Sequence, residues 1–135
     1  MNLKSKILAG TLSLAVLLTS ATPSFAAQQD IKIKQKVTKH GIKQKIVVKQ
    51  IGDLNEALAQ AAINADIPNS SKNFKIKQEI KIKQKGNYND AVVNPTINAN
   101  LGNKTQNIKI KQKVKIKQKG KDNSASVNPK INVNR

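Results

Sequence analysis

The chain writes one segment almost twice, and that repetition constrains its fold more than any other feature. Phe74 to Gly86 reads FKIKQEIKIKQKG, and Ile108 to Gly120 reads IKIKQKVKIKQKG, 34 residues later. The match runs on past the glycine, where Val93-Asn94-Pro95-Thr96-Ile97-Asn98 returns as Val127-Asn128-Pro129-Lys130-Ile131-Asn132. A weaker copy lies one period upstream, with Ile42, Gln44, Ile46, Gln50, Gly52, Asn55, Ala57, Ile63 and Asn64 in register. A fixed period means one structural unit stacked on copies of itself, which points to architecture rather than catalysis.

Within each copy the period is two. Phe74, Ile76, Gln78, Ile80, Ile82 and Gln84 alternate with Lys75, Lys77, Glu79, Lys81, Lys83 and Lys85. Only an extended strand sends alternate residues to opposite faces. On a helix the lysines would spread around the cylinder and leave no apolar stripe. Ile108–Lys119 repeats the alternation, and Ile42–Gln50 keeps it more loosely. Gly86–Asp90 and Gly120–Ser124 are turn-rich. Beyond each turn the alternation resumes with Asn89, Ala91, Val93, Pro95, Ile97 and Ala99 facing inward. Proline cannot donate to a ladder, so Pro95 and Pro129 are expected to bend or break this second arm.

The expected fold is all-β, a β-solenoid-like stack of strand-turn-strand units. Three tandem copies span residues 40–73, 74–107 and 108–135. Residues 27–39 precede them and carry an extra strand, Ile31–Val37, out of phase with the rest. Asp53–Ala62 has strong helix formers and an Asp-x-x-Glu start resembling a capping box. The repeat places it on Asn87–Thr96, whose composition is not helical, and that alignment favours strand.

Residues 1–26 read as a cleaved signal peptide: Lys4 and Lys6, an apolar stretch over Ile7–Leu18, then Ser24-Phe25-Ala26 as a small-x-small cleavage site. The apolar stretch is too short to span a bilayer comfortably. The expected localisation is therefore secreted, extracellular or at the cell surface, and the chain contains no cysteine from which to make disulfides. Of its 25 basic and 7 acidic residues only Lys4 and Lys6 fall in the leader, so the rest keeps a surplus of 16 positive charges. Such a surplus implies an anionic partner or surface. Aromatics are almost absent, so any core must be built from Ile, Val and Ala.

Around each turn stands Gln-x-Gly-x-x-Asn-x-Ala: Gln50, Gly52, Asn55, Ala57; Gln84, Gly86, Asn89, Ala91; and Gln118, Gly120, Asn123, Ala125. Glycine takes positive φ without a clash, asparagine tolerates left-handed turns, and alanine lets the arms approach. A buried glutamine needs amide partners, which its counterpart one repeat away supplies as a ladder. This spacing resembles the curlin repeat of the bacterial curli amyloid subunits. The resemblance implies a solenoid that polymerises end to end into extracellular fibrils of the biofilm matrix, with the glutamines and asparagines stacking. The unit here is longer than the curlin repeat, apolar residues replace its opening serine, and lysine is far more abundant.

In-register stacking sets Lys75, Lys77, Lys81, Lys83 and Lys85 beside Lys109, Lys111, Lys115, Lys117 and Lys119. Only Lys113 meets an acid, Glu79. These lysines form the candidate anion-binding face, for teichoic acid, acidic polysaccharide, extracellular DNA or anionic lipid. The other expected partners are the chain itself and related fibre subunits. No stacking aromatics accompany the charge, so nucleic-acid binding would be unspecific. His40 is the only histidine, and Asp53, Glu56, Asp66, Asp90 and Asp122 read as solvated turn or outer-face carboxylates. No enzyme, metal or cofactor is expected. A different class of function, a cationic membrane-active, antimicrobial or cell-wall-binding protein, draws on the same amphipathic Ile–Lys strands.

Overall fold

The computed structural model describes the backbone of residues 11–20 and all of residues 28–135. The cleavage site expected after Ala26 lies outside these residues, whereas strand Thr11–Ser20 falls within the expected leader and would leave the sheet on cleavage. Nine strands follow in order and no helix among the described residues: β1 (Thr11–Ser20), β2 (Gln28–Thr38), β3 (Gly41–Ile51), β4 (Asn55–Ile67), β5 (Lys75–Lys85), β6 (Asp90–Leu101), β7 (Lys109–Lys119), β8 (Ser124–Val127) and β9 (Lys130–Asn134).

The strands form two sheets. One runs β2-β3-β5-β7 and the other β1-β4-β6, with β8 and β9 both on the far edge of β6. Successive arms of each repeat alternate between the sheets. Every parallel pair joins residues 34 apart, from Ile42 on Ile76 and Ile76 on Ile110 to Ala57 on Ala91 and Ala91 on Ala125. Two pairs break that rule: β2 lies antiparallel to β3, and β1 antiparallel to β4.

The core lies between the sheets. The inward residues of β3, β4, β5 and β6 alternate strictly with exposed or half-buried ones. Ile46, Val48, Ile80, Ile82, Ala59 and Val93 make one cluster, and Ile42, Ile63, Phe74, Ile76 and Ile97 another. In the first cluster alanine and valine on β4 and β6 oppose isoleucine and valine on β3 and β5, and in the second Ile63, Ile67 and Ile97 fill the other side.

Asn55–Ile67 is strand, so the helical propensity of its alanines and leucine loses to tertiary context. Thirteen backbone positions there pair with β6 or β1, and Ala57, Ala59, Ala61, Ile63, Ala65 and Ile67 are all buried.

The prolines correct one expectation. β6 passes through Pro95 unbroken, and the break falls one rung on, between β8 and β9. Asn128 N donates to Val93 O, so odd residues of β6 turn their backbone groups toward β8 and β9. Pro95 therefore withholds a donor only from that side and costs the β4 ladder nothing. Pro129, of opposite backbone phase, turns its missing N–H to the open edge.

Candidate stacking ladders and anion-binding face

The turn motifs stack in columns. Gly52, Gly86 and Gly120 all have positive φ, at 99°, 122° and 124°. A Cβ at Gly86 would stand 2.1 Å from Gly52 O, and one at Gly120 1.9 Å from Gly86 O. Glycine is needed here for the close approach as well as for the turn. The left-handed position two residues on belongs to Leu54, Tyr88 and Asp122, at φ 59°, 56° and 52°, and not to the motif asparagines that follow them.

Gln84 is buried, and its Nε2 donates to Gln50 Oε1 at 2.9 Å, Asn89 O at 3.2 Å and Ser124 O at 2.7 Å. Gln118 Nε2 donates in turn to Gln84 Oε1 at 2.8 Å and Asn123 O at 3.0 Å. Gln50 starts the column, bonding Asn55 O and Asp90 O. The asparagine column runs in the opposite sense. Asn55 N and Nδ2 donate to Asn89 Oδ1, Asn89 N and Nδ2 to Asn123 Oδ1, and Asn123 Nδ2 to Gly86 O. Ala57 and Ala91 are buried in the same core, and Ala125 packs against it.

A second glutamine column escaped the motif. Gln112 Nε2 donates to Gln78 Oε1 at 2.7 Å, Gln78 Nε2 to Gln44 Oε1 at 2.6 Å, and Gln44 Nε2 to Gln35 Oε1 at 3.2 Å. Gln44, Gln78 and Gln112 sit six before each motif glutamine on the same inward phase, a spacing visible in the sequence. Asparagine rungs also line the outside of the other sheet, such as Asn132 on Asn98 on Asn64.

The lysines occupy one face. Lys75, Lys77, Lys81, Lys83 and Lys85 pair in register with Lys109, Lys111, Lys115, Lys117 and Lys119, and Glu79 with Lys113. The face extends further than those two strands: Lys43, Lys45 and Lys49 of β3 and Lys32, Lys34 and Lys36 of β2 join the same rows. The result is 17 lysines against Asp30 and Glu79 on the outside of one sheet. The outer positions of β4, β6, β8 and β9 carry Glu56, Asp66 and Asp90 with a single lysine, Lys130. Neighbouring ammonium groups about 5 Å apart in water repel by about 0.8 kcal/mol per pair. A groove of about 650 Å³ crosses the rows, lined by Lys49, Lys83, Lys85, Lys117 and Lys119 with Ile51 and Ile116.

Partial burial works to raise the pKa of Glu79, but Lys81, Lys77, Lys45 and Lys113 together outweigh it and hold the carboxyl below its ordinary value. Lys81 Nζ lies 3.6 Å from Glu79 Oε1. His40 lies in the β2–β3 turn, where its backbone N meets Thr38 Oγ1 and its carbonyl receives Lys75 N. Glu56 and Asp90 are register partners on the outer face, Asp66 accepts from Asn100 Nδ2, and Asp53 accepts from Asn87 N. Asp122 takes the left-handed turn position. Among the described residues no three of these acids and His40 gather into a group that could hold a metal ion. No protein-family model, curated protein or solved structure matches the chain.

Proposed function

We propose that the chain is a secreted, curlin-like structural protein, folded as a two-sheet β-solenoid, that assembles into extracellular fibrils and binds anionic polymer on its lysine-covered sheet. One observation carries this reading: the 34-residue parallel register runs through both sheets, and the last of the described rungs is uncovered. Ile82 is fully buried beneath β7, whereas its counterpart Ile116 is 42% exposed. Val114, Ile131 and Val133 of the last rung are exposed as well. Such an edge, apolar on its inner phase, is a template for a further strand.

The lysine rows explain why assembly would respond to conditions. Each added rung repeats the like-charge contact, and a polyanion lying across the rows cancels it. The inward placement of the β5 isoleucines between the sheets favours assembly over a membrane-active role, since the apolar phase of the strands is already covered.

Electron microscopy and X-ray fibre diffraction of the purified protein, with and without polyphosphate, test this. Fibrils with a cross-β pattern, formed faster with polyphosphate, are expected. A protein that stays monomeric under all ionic conditions, or that leaks anionic liposomes without forming fibrils, refutes it.

A further inference from the structure

We infer that β2 is the joint between subunits, its free edge accepting the β7 edge of a second copy in antiparallel register; this rests on the assembly reading above. β2 is set against β3 so that Gln35 meets Gln44 and Gln29 meets Gln50, with aliphatic residues paired between them. The six-residue spacing of its glutamines is that of every repeat, including Gln112 and Gln118 of β7. A strand able to match β3 in this way can match β7 on its other side. Gln35 of the second copy then meets Gln112, Gln29 meets Gln118, and Ile33 meets Val114.

Three further features agree. First, backbone phase: Lys75 N donates to His40 O and Lys109 N to Phe74 O, which fixes the alternation along both sheets. Even residues of β7 and odd residues of β2 turn their backbone groups to the free edges, and these are the residues the proposed register brings opposite one another. Second, sense: glutamine Nε2 groups donate toward β2 throughout, from Gln112 to Gln78 to Gln44 to Gln35. An Nε2 of Gln35 from the next copy donating to Gln112 Oε1 continues that direction without reversal. Third, charge: Asp30, one of two acids on the lysine face, falls opposite Lys117.

A simple continuation of the parallel stack would instead require β7 to reach β3, which β2 covers. The two joints can be told apart at Lys117. In the antiparallel joint Lys117 neighbours Asp30 of the next copy; in the parallel one it neighbours Lys49.

The native chain has no cysteine, so single-cysteine variants report this directly. Asp30→Cys, Lys49→Cys and Lys117→Cys all alter exposed outer positions. Asp30 and Lys117 would form a pair whose Cα atoms sit about 4.5 Å apart, within disulfide range. Fibrils grown from an equal mixture of Asp30→Cys and Lys117→Cys and then oxidised should yield disulfide-linked dimer. Lys49→Cys mixed with Lys117→Cys should yield none. Dimer from the second mixture, or fibrils giving dimer from neither, overturns the joint and leaves the assembly reading intact. Absence of fibrils from the unsubstituted protein overturns both.

Discussion

At the scale of single residues, the buried amides decide the most. The two hydrogens of Gln84 Nε2 are shared among three acceptors, and Gln84→Ala leaves Gln50 Oε1, Asn89 O and Ser124 O without that donor. The expected loss is at least about 2 kcal/mol, read by denaturant unfolding of the monomer. Gln118→Ala, on the uncovered rung, should cost much less and show instead as slower assembly. Leu54 makes the opposite case, being an exposed leucine held at φ 59°. Leu54→Asn should stabilise by about 1 kcal/mol, seen as a raised Tm. Glu79 sets an acid limit. Its folded pKa lies below the ordinary 4.5, so its contribution is complete above that value and fades as pH falls through the lowered one. Glu79→Gln should flatten stability against pH in that acid window and cost about 1 kcal/mol at neutral pH, since the pair it breaks with Lys81 is half-buried at the surface. The glutamine column was legible because period and inward phase coincide at Gln50, Gln84 and Gln118. The left-handed turn position was not, since Leu54, Tyr88 and Asp122 share no chemistry that announces it.

At the scale of elements, strand identity followed from alternation wherever Lys and Ile exchange places. It was hardest to read in β4, where Ala, Leu and Glu favour helix in isolation. What decides β4 is its neighbour: β6 offers twelve register partners, and the core takes Ala57, Ala59, Ala61, Ile63, Ala65 and Ile67 at every second position. Pro95 shows the limit of residue-type rules, because the effect of a missing N–H depends on which neighbour it faces. Replacing it restores a donor toward Asn128 O. Pro95→Ala should therefore join β8 to β9, measured as slower amide exchange at Asn128 and Lys130. Unchanged exchange there would show that Pro129 alone sets the break. The reach of the lysine face into β2 and β3 was also latent in the sequence, hidden because Val47 and Ile51 interrupt those rows.

At the scale of the whole molecule, charge is sorted by sheet. One outer face carries 17 lysines, and the opposite face carries only Lys130 among asparagines, other uncharged residues and a few acids. A polyanion should therefore bind one side of a fibril, leaving the other free for contacts between fibrils. Each rung adds apolar burial on the inside and like-charge contact on the outside, so the two respond differently to salt. Raising salt should speed assembly, followed by turbidity or thioflavin fluorescence; slower assembly would mean that charge pairing rather than burial drives it. All of this depends on residues 34 apart lying on adjacent strands. Nitroxide labels at Lys77 and Lys111, paired in the structure one strand spacing of about 4.8 Å apart, measure that directly. Strong dipolar broadening in the doubly labelled monomer is expected, and a spectrum equal to the sum of the two singly labelled proteins would contradict the account.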